Sequence, residues 1–153
     1  MDVTDKRILR ILAKNAHASS TEIGVQVGLS VPAVNKRIVR LKESRAIREV
    51  TVLTDAKAVG KPITAYILLA IKYGDSVDNL LHCIENDEDI LECAAVTGEY
   101  DYIVKACAAS VEALESKLLF LKKQKGVTKS QTMLSLTEHK FTPTFLPDKE
   151  TEC

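Results

Sequence analysis

The chain has little that would mark it as a metalloprotein, a membrane protein or a secreted protein. Its four cysteines, Cys83, Cys93, Cys107 and Cys153, form no CxxC pair and no metal-ligand spacing. Three of them sit in apolar segments, where a cysteine packs as a small hydrophobe, so a reducing cytoplasm is the expected home and no metal or other cofactor is expected. No apolar run approaches the roughly 20 residues a helix needs to cross a bilayer. The N-terminus lacks the apolar core of a secretion signal, and there is no low-complexity tract. A hydrophobic content of 46% is enough for a packed core over 153 residues, as one large domain or two small ones.

Net charge is absent as well, with 21 basic and 21 acidic side chains. That zero is a cancellation between halves. Residues 1–60 hold eleven Lys/Arg against six Asp/Glu, a net +5, and residues 61–153 hold ten against fifteen, a net −5. A basic head on an acidic body is the asymmetry expected when one half meets phosphate and the other does not.

The basic half reads as three short helices. Ile8, Ile11 and Leu12 recur at helical spacing, and Asp2 with Asp5 places acid at the positive end of the helix dipole. Ala16-His17-Ala18 breaks that pattern. Ser19 with Glu22 matches a capping box and opens a second helix with Ile23 and Val27. Gly28-Leu29-Ser30 is a tight turn, with Ser30 suited to N-cap a third helix that tolerates Pro32 in its first turn and runs to about Ser44. A small β ribbon is expected from Ile47, Val50 and Val52, turning at Thr54-Asp55. Gly60-Lys61-Pro62 is the expected domain boundary.

In the acidic half, Ile63 to Tyr73 is a long β-branched and aromatic run. Ser76 is suited to cap a helix with Val77, Leu80, Leu81 and Ile84 on one face. Ile90–Thr97 and Tyr100–Ala108 read as antiparallel strands around a Gly98-Glu99 turn. Ser110 caps a helix with Val111, Leu114, Leu118 and Leu121 on one face, ending at Gly126. Val127–Glu138 is the last strand. The order β-α-β-β-α-β is the ferredoxin-like arrangement, so the fold class is α+β: a winged helix-turn-helix over 1–60, a ferredoxin-like domain over 61–139 and a C-terminal tail over 140–153. In the first strand Ile63, Ile67, Leu69 and Ile71 face one way and Tyr66, Leu68 and Ala70 the other. One face can meet the two helices, and the other calls for a second subunit.

The third helix of the basic half carries the functional argument. Val31, Val34, Ile38 and Leu41 form its apolar stripe, while Lys36 and Arg40 lie near the centre of the opposite face with Ala33 and Arg37 on the flanks. Such a helix locks onto its own domain and offers a basic face to a DNA major groove. Ala33 keeps the leading end slim. Arg37 and Arg40 can reach guanine edges or phosphate, and Lys36 suits phosphate. Asn35 can read adenine, although the helical wheel turns it partly back toward the core. A basic helix face is often merely solvated; the conjunction with two caps, the turn, the charge split, Ser30 at the helix start and Arg48 on the ribbon favours double-stranded DNA.

The segments Asp5-Lys6-Arg7-Ile8-Leu9, Ser19–Leu29 and Ser30–Leu41 together resemble the winged helix-turn-helix of the leucine-responsive/asparagine (Lrp/AsnC, feast/famine) regulators. The similarity continues through Thr97-Gly98-Glu99-Tyr100-Asp101-Tyr102-Ile103, which resembles the Gly-Asp-Tyr-Asp-type turn of that family's effector-sensing domain, and it covers nearly all of residues 2–139. The resemblance implies a bacterial or archaeal transcription regulator that dimerises through its ferredoxin-like sheet and assembles into octamers. It also implies a small effector, usually an amino acid, at a contact between dimers, with Thr97, Gly98, Glu99, Tyr100 and Asp101 as candidate contacts and Thr132 as a more distant one. The chain departs from the family at Gly24, where alanine is common, at Val31, where proline is usual, and at Glu99, where aspartate is commoner. From the residues alone, a tight hairpin in which Asp101 bonds to its own backbone is the favoured reading; the resemblance is what turns the reading toward a ligand site.

Two other classes are compatible with the sequence. Siroheme decarboxylases resemble this family over both domains, so an enzyme is one alternative. The histidines, His17, His82 and His139, are scattered without evident partners, which argues for a non-enzyme. A metabolite-binding co-regulator without DNA contact is the other alternative, and Lys36, Arg37 and Arg40 argue against it.

Overall fold

A computed structural model describes residues 1–72, 74 and 77–148. They form two compact units, one of Met1–Val52 together with the tail from Lys140, the other of Leu53–His139.

The first unit is built on three helices. Helix α1 (Val3–Lys14) opens on a reciprocal capping box, in which the Asp5 amide donates to Asp2 at 2.8 Å and the Asp2 amide donates to Asp5 at 3.1 Å. Helix α2 (Ser20–Val27) opens on the Ser19/Glu22 box and closes on Gly28 in the left-handed conformation, φ 71°. Helix α3 (Val31–Glu43) follows with Ser30 at its N-cap and Pro32 in its first turn, although the Ser30 side chain makes no cap bond. Ile8, Ile23, Val34 and Leu41 form the centre of the core. Each such side chain contributes about 1.5–3 kcal/mol by leaving water, which is what fixes three short helices that would not persist alone. Val31, expected in this stripe, is 39% exposed; at the first helical position it stands clear of α1 and α2.

Gly24 explains its own presence. It is buried in α2, its carbonyl accepts from the Leu29 amide at 3.0 Å, and a Cβ there would lie 2.6 Å from the Leu29 carbonyl oxygen. Backbone contact in the turn, and not helix propensity, selects glycine here.

The β ribbon expected from Ile47 does not form, and no strand occurs between α3 and residue 63. Val50, Val52 and Leu53 are largely exposed. An isolated two-stranded ribbon without an apolar face to bury is marginal in water, so β propensity alone is insufficient. Residues 55–61 instead fold into a turn, with the Ala58 amide donating to Asp55 at 2.8 Å and the Lys61 amide to the Ala56 carbonyl at 2.8 Å.

The second unit runs β1 (Ile63–Ile71), α4 (Val77–Glu85), β2 (Ile90–Ala95), β3 (Tyr102–Ala108), α5 (Val111–Lys122) and β4 (Val127–Leu134). The strands form one antiparallel sheet ordered β2-β3-β1-β4, the ferredoxin-like topology. Register places Ile67 opposite Val104 and Thr132, and Leu69 opposite Tyr102 and Ser130. Ile67, Leu69, Ile71, Val104 and Ala106 fill the helix-covered face with Leu80, Ile84 and Leu121. The alternation expected for β1 holds from Ala65 on, with Ala65, Ile67, Leu69 and Ile71 buried and Tyr66, Leu68 and Ala70 partly exposed between them, while Ile63 at the strand start is only half-buried. Helix α5 opens on Ser110, which accepts from the Ala113 amide at 3.2 Å. Val111, expected on its buried face, is exposed because it occupies the first helical position, while Leu114 and Leu121 are buried. The Ser76 cap expected for α4 falls outside the described residues.

Candidate nucleic-acid interface and ligand turn

Two sets of residues were expected to carry function. The structure brings most of the first together on α3. Ser30, Asn35, Lys36 and Arg40 are exposed on the helix or at its start, and Ala33 is half-buried. Because Val34 and Leu41 are held in the core, the helix cannot roll, and Lys36 and Arg40 stay on the solvent side. Asn35 is exposed and accepts from the Ser20 hydroxyl at 2.5 Å, a contact from α2 that orients its amide.

Arg37 behaves differently. Its Nη1 lies 2.6 Å from Asp2 and 2.7 Å from Asp5, so its guanidinium forks onto the first turn of α1. The hydrogen bonds it donates to Asp2 and Asp5 push the Arg37 pKa up, and Arg37 in return holds the Asp2 carboxyl below the ordinary carboxylate range. The fork ties α1 to α3 and leaves Lys36 and Arg40 as the outward cations of the central face. Arg48 lies apart, exposed in the extended segment after α3 and not on a ribbon. The sequence placed Asp5 as an acid at the start of α1, and its capping box with Asp2 emerged only in the structure. Its pairing with Arg37, 32 residues away, has no periodic signal and was missed.

The second set lies on the loop between β2 and β3. Its neck is closed by the Val96 amide donating to the Asp101 carbonyl at 2.9 Å. Asp101 is tied to β1 twice: its amide donates to the Leu69 carbonyl at 2.9 Å, and its carboxylate accepts from the Ile71 amide at 2.8 Å. Asp101 therefore bonds to backbone, as the hairpin reading has it, and its carboxylate reaches the backbone of the neighbouring strand β1. Gly98 has φ 122°, a conformation that side chains other than glycine's strain to adopt, and Thr97 and Glu99 are exposed beside it.

Tyr100 crosses to β4. Its hydroxyl donates to Gln131 at 3.0 Å, and Lys129 stands 5.2 Å from the ring centroid. Lys129 also pairs with Glu99, and that hydrogen bond raises the lysine pKa, with Tyr100 adding to it. Glu99, Tyr100, Lys129 and Gln131 thus form one polar group at the rim of the sheet. Lys129 and Gln131 carry no sequence motif and were not anticipated. Thr132 is not part of this group. It sits opposite Ile67 on the helix-covered face, so it points to the other side of the sheet from Gln131.

The histidines stay apart: His17 in the α1–α2 turn, His82 on α4 beside Asn86, and His139 in the tail. Among the described residues no cluster of His, Cys, Asp and Glu is arranged to hold a metal ion. No helix among them is long and apolar enough to cross a membrane.

Comparison with known proteins agrees with both halves. Residues 1–42 match the AsnC-type helix-turn-helix domain, and residues 64–145 match the Lrp/AsnC ligand binding domain. The chain is 35% identical over 149 residues to the HTH-type transcriptional regulator FL11 of Pyrococcus abyssi, covering 97% of each. It is 34% identical over 137 residues to the HTH-type transcriptional regulator Rv2324 of Mycobacterium tuberculosis, covering 90% of this chain and 93% of that one. Among solved structures, the transcriptional regulator NMB0573 of Neisseria meningitidis, in complex with L-Met, superposes with a TM-score of 0.90 at 26% identity, covering 95% and 96% of the two chains. The feast or famine regulatory protein Rv3291c of M. tuberculosis, complexed with L-methionine, superposes at 0.87 with 25% identity, covering 95% and 99%.

Proposed function

The chain belongs to the Lrp/AsnC family of DNA-binding transcriptional regulators, and on that premise we propose that it reads operator DNA through α3 and responds to an amino acid or a closely related metabolite. The work divides along the chain, with residues 1–60 holding the DNA and residues 61–139 sensing and assembling. Lys36 and Arg40 are the principal DNA contacts, with Ser30, Ala33 and Asn35 at the leading end of the helix, Arg48 on the flanking segment and Arg37 as a positioning residue. The observation that carries this reading is the locked amphipathic α3, with Val34 and Leu41 buried on one side and Lys36 and Arg40 exposed on the other.

The sensing half supports an effector at the Thr97–Asp101 turn. Gly98 allows close backbone approach to a carboxylate, and Tyr100, Lys129 and Gln131 add polar groups beside it. The L-methionine complexes of two structural neighbours support the amino-acid class. The partly exposed sheet face of Tyr66 and Leu68 suits a two-fold partner. A homodimer would present two reading heads to successive major grooves, and dimers would meet at the turn to build an octamer. An effector seated there shifts the population of assembled states. The protein acts in the cytoplasm as a regulator and not as an enzyme.

Fluorescence anisotropy with a labelled duplex from upstream of the protein's own gene tests the reading, at two salt concentrations and with a panel of amino acids. Specific binding that weakens steeply with salt and shifts with one amino acid is expected. Lys36→Ala and Arg40→Ala should weaken binding, each lowering the slope of log affinity against log salt by about one where the contact is to phosphate. Specific binding without any amino-acid response would remove the effector half of the proposal. Failure to select any preferred site from random-sequence DNA would remove the operator half.

A further inference from the structure

The chain leaves the first unit at Val52 and re-enters it at Lys140, so the helix-turn-helix unit is tied into the protein by two covalent connections. The second connection has a visible anchor. Arg10, on α1, donates from Nη2 to the backbone carbonyl of Pro147. Pro147 is half-buried, whereas the residues on either side of it are exposed and Phe145 is 100% exposed. The tail from Lys140 forms no helix or strand through residue 148. Pro143 and Pro147 restrict its backbone in advance, so it gives up less conformational freedom on docking than an unrestricted tail would. The attachment falls beside a cleft of about 330 Å³ between α1 and α2, lined by Arg10, Ile11, Lys14, Glu22 and Gln26 among others.

We propose that residues 140–148 form a strap, latched to α1 by Arg10, that gives the DNA-binding unit its second attachment and restricts how freely it reorients. The latch is polar. Phe145 is wholly exposed, while Leu146 and Phe141 are 47% and 50% exposed, so partial apolar burial adds to the hold and the charge-assisted bond from the guanidinium fastens the strap at Pro147. This proposal is independent of the effector reading.

Limited chymotryptic digestion of the full-length protein, followed by mass spectrometry, measures how often the strap opens. Cleavage after Phe145 needs the segment free, and its rate follows the open population when closing is fast. Arg10→Ala should raise that rate about tenfold, the equilibrium equivalent of losing one hydrogen bond to a charged group. Cleavage after Leu41, buried in the core of the same helical unit, read in the same digest, should stay unchanged and so excludes general loosening of that unit. Arg10→Lys should fall between the two, and Lys14→Ala, which removes the neighbouring cation of the cleft, should match the wild type. An unchanged rate at Phe145 in Arg10→Ala, or an equal increase in Lys14→Ala, overturns the proposal.

Discussion

Arg37 on α3 and Asp5 on α1 are separated by 32 residues in the chain and by 2.7 Å in space. Asp5 is the one polar side chain in the buried set of the described residues, 5% exposed, and it serves both the capping box of α1 and the fork from Arg37. One carboxylate thereby sets where the first helix begins and how the third helix lies against it. Asp5→Ala should lower the stability of the helical unit by about 1–3 kcal/mol, because a buried donor loses its acceptor and a helix start loses its box. Urea denaturation followed by circular dichroism measures this.

Arg37→Ala separates positioning from contact. DNA affinity should fall together with stability, while the salt slope stays near that of the wild type, because the guanidinium is spent on Asp2 and Asp5. Lys36→Ala and Arg40→Ala should do the reverse, lowering the slope with the melting temperature unchanged. A reduced slope in Arg37→Ala would move this residue from the fold to the phosphate backbone.

Gly24→Ala should destabilise the protein even though alanine is the better helix former by about 1 kcal/mol. The added Cβ would lie 2.6 Å from the Leu29 carbonyl oxygen, and neither backbone can move without disturbing Gly28 and Ser30. Overpacking of this kind costs about 1–3 kcal/mol. Differential scanning calorimetry should show a lower melting temperature; a rise would mean the turn relaxes freely.

Asp101→Ala should cost about 1–3 kcal/mol by leaving the Ile71 amide without its acceptor, so a lost amino-acid response in this variant cannot by itself place Asp101 against ligand. Asp101→Asn keeps an acceptor oxygen and should keep most of the stability. If the carboxylate charge contacts an effector ammonium, Asp101→Asn loses the response with the fold intact, as paired calorimetry and ligand titration would reveal.

The start of β2 carries the pH-sensitive anchor of the second unit. Lys61, at the end of the 55–61 turn, pairs with Asp89 at 2.5 Å, and Lys117 on α5 bridges Asp87 at 2.5 Å and Asp89 at 3.3 Å. The hydrogen bond from Lys61 holds the Asp89 carboxyl low against the opposing effect of burial, with Lys117 adding to it. Burial pulls Lys117 down, and its bonds to Asp87 and Asp89 overcome that. A depressed carboxyl stabilises above its unfolded value of about 3.9 and loses that stabilisation as pH falls through the lower folded value. The raised Lys61 and Lys117 contribute fully below about 10.4 and lose their contribution as pH rises through the folded values. Stability of the second unit should therefore be flat between these limits and fall outside them. Lys61→Ala should shift the acid midpoint of unfolding upward; an unmoved midpoint would show that the pair is solvent-screened to nothing.

Local chemistry was enough to write down α2, α3, α5 and the βαββαβ order. The Ser19/Glu22 box, Gly28, Ser110 and the alternation of β1 act between neighbours, and their signals are periodic in the chain. So was the exposure of Lys36 and Arg40, which follows from one helical turn. Tertiary contacts decided the rest. At the ribbon expected over Ile47–Val52, Ile47 packs onto the helical core instead, and Val50 and Val52 stay exposed without a partner strand. Val31 and Val111 had the right spacing but stood at helix starts, beyond the reach of their neighbours. Gly24 was shaped by the Leu29 backbone, Arg37 was taken by acids at the far end of the domain, and Tyr100 found Gln131 on a strand 31 residues away. Thr132 was parted from the turn by the pleat, since adjacent strand residues face opposite sides of the sheet. Periodicity states which face a residue occupies; what waits on that face depends on contacts distant in sequence, which no local pattern records.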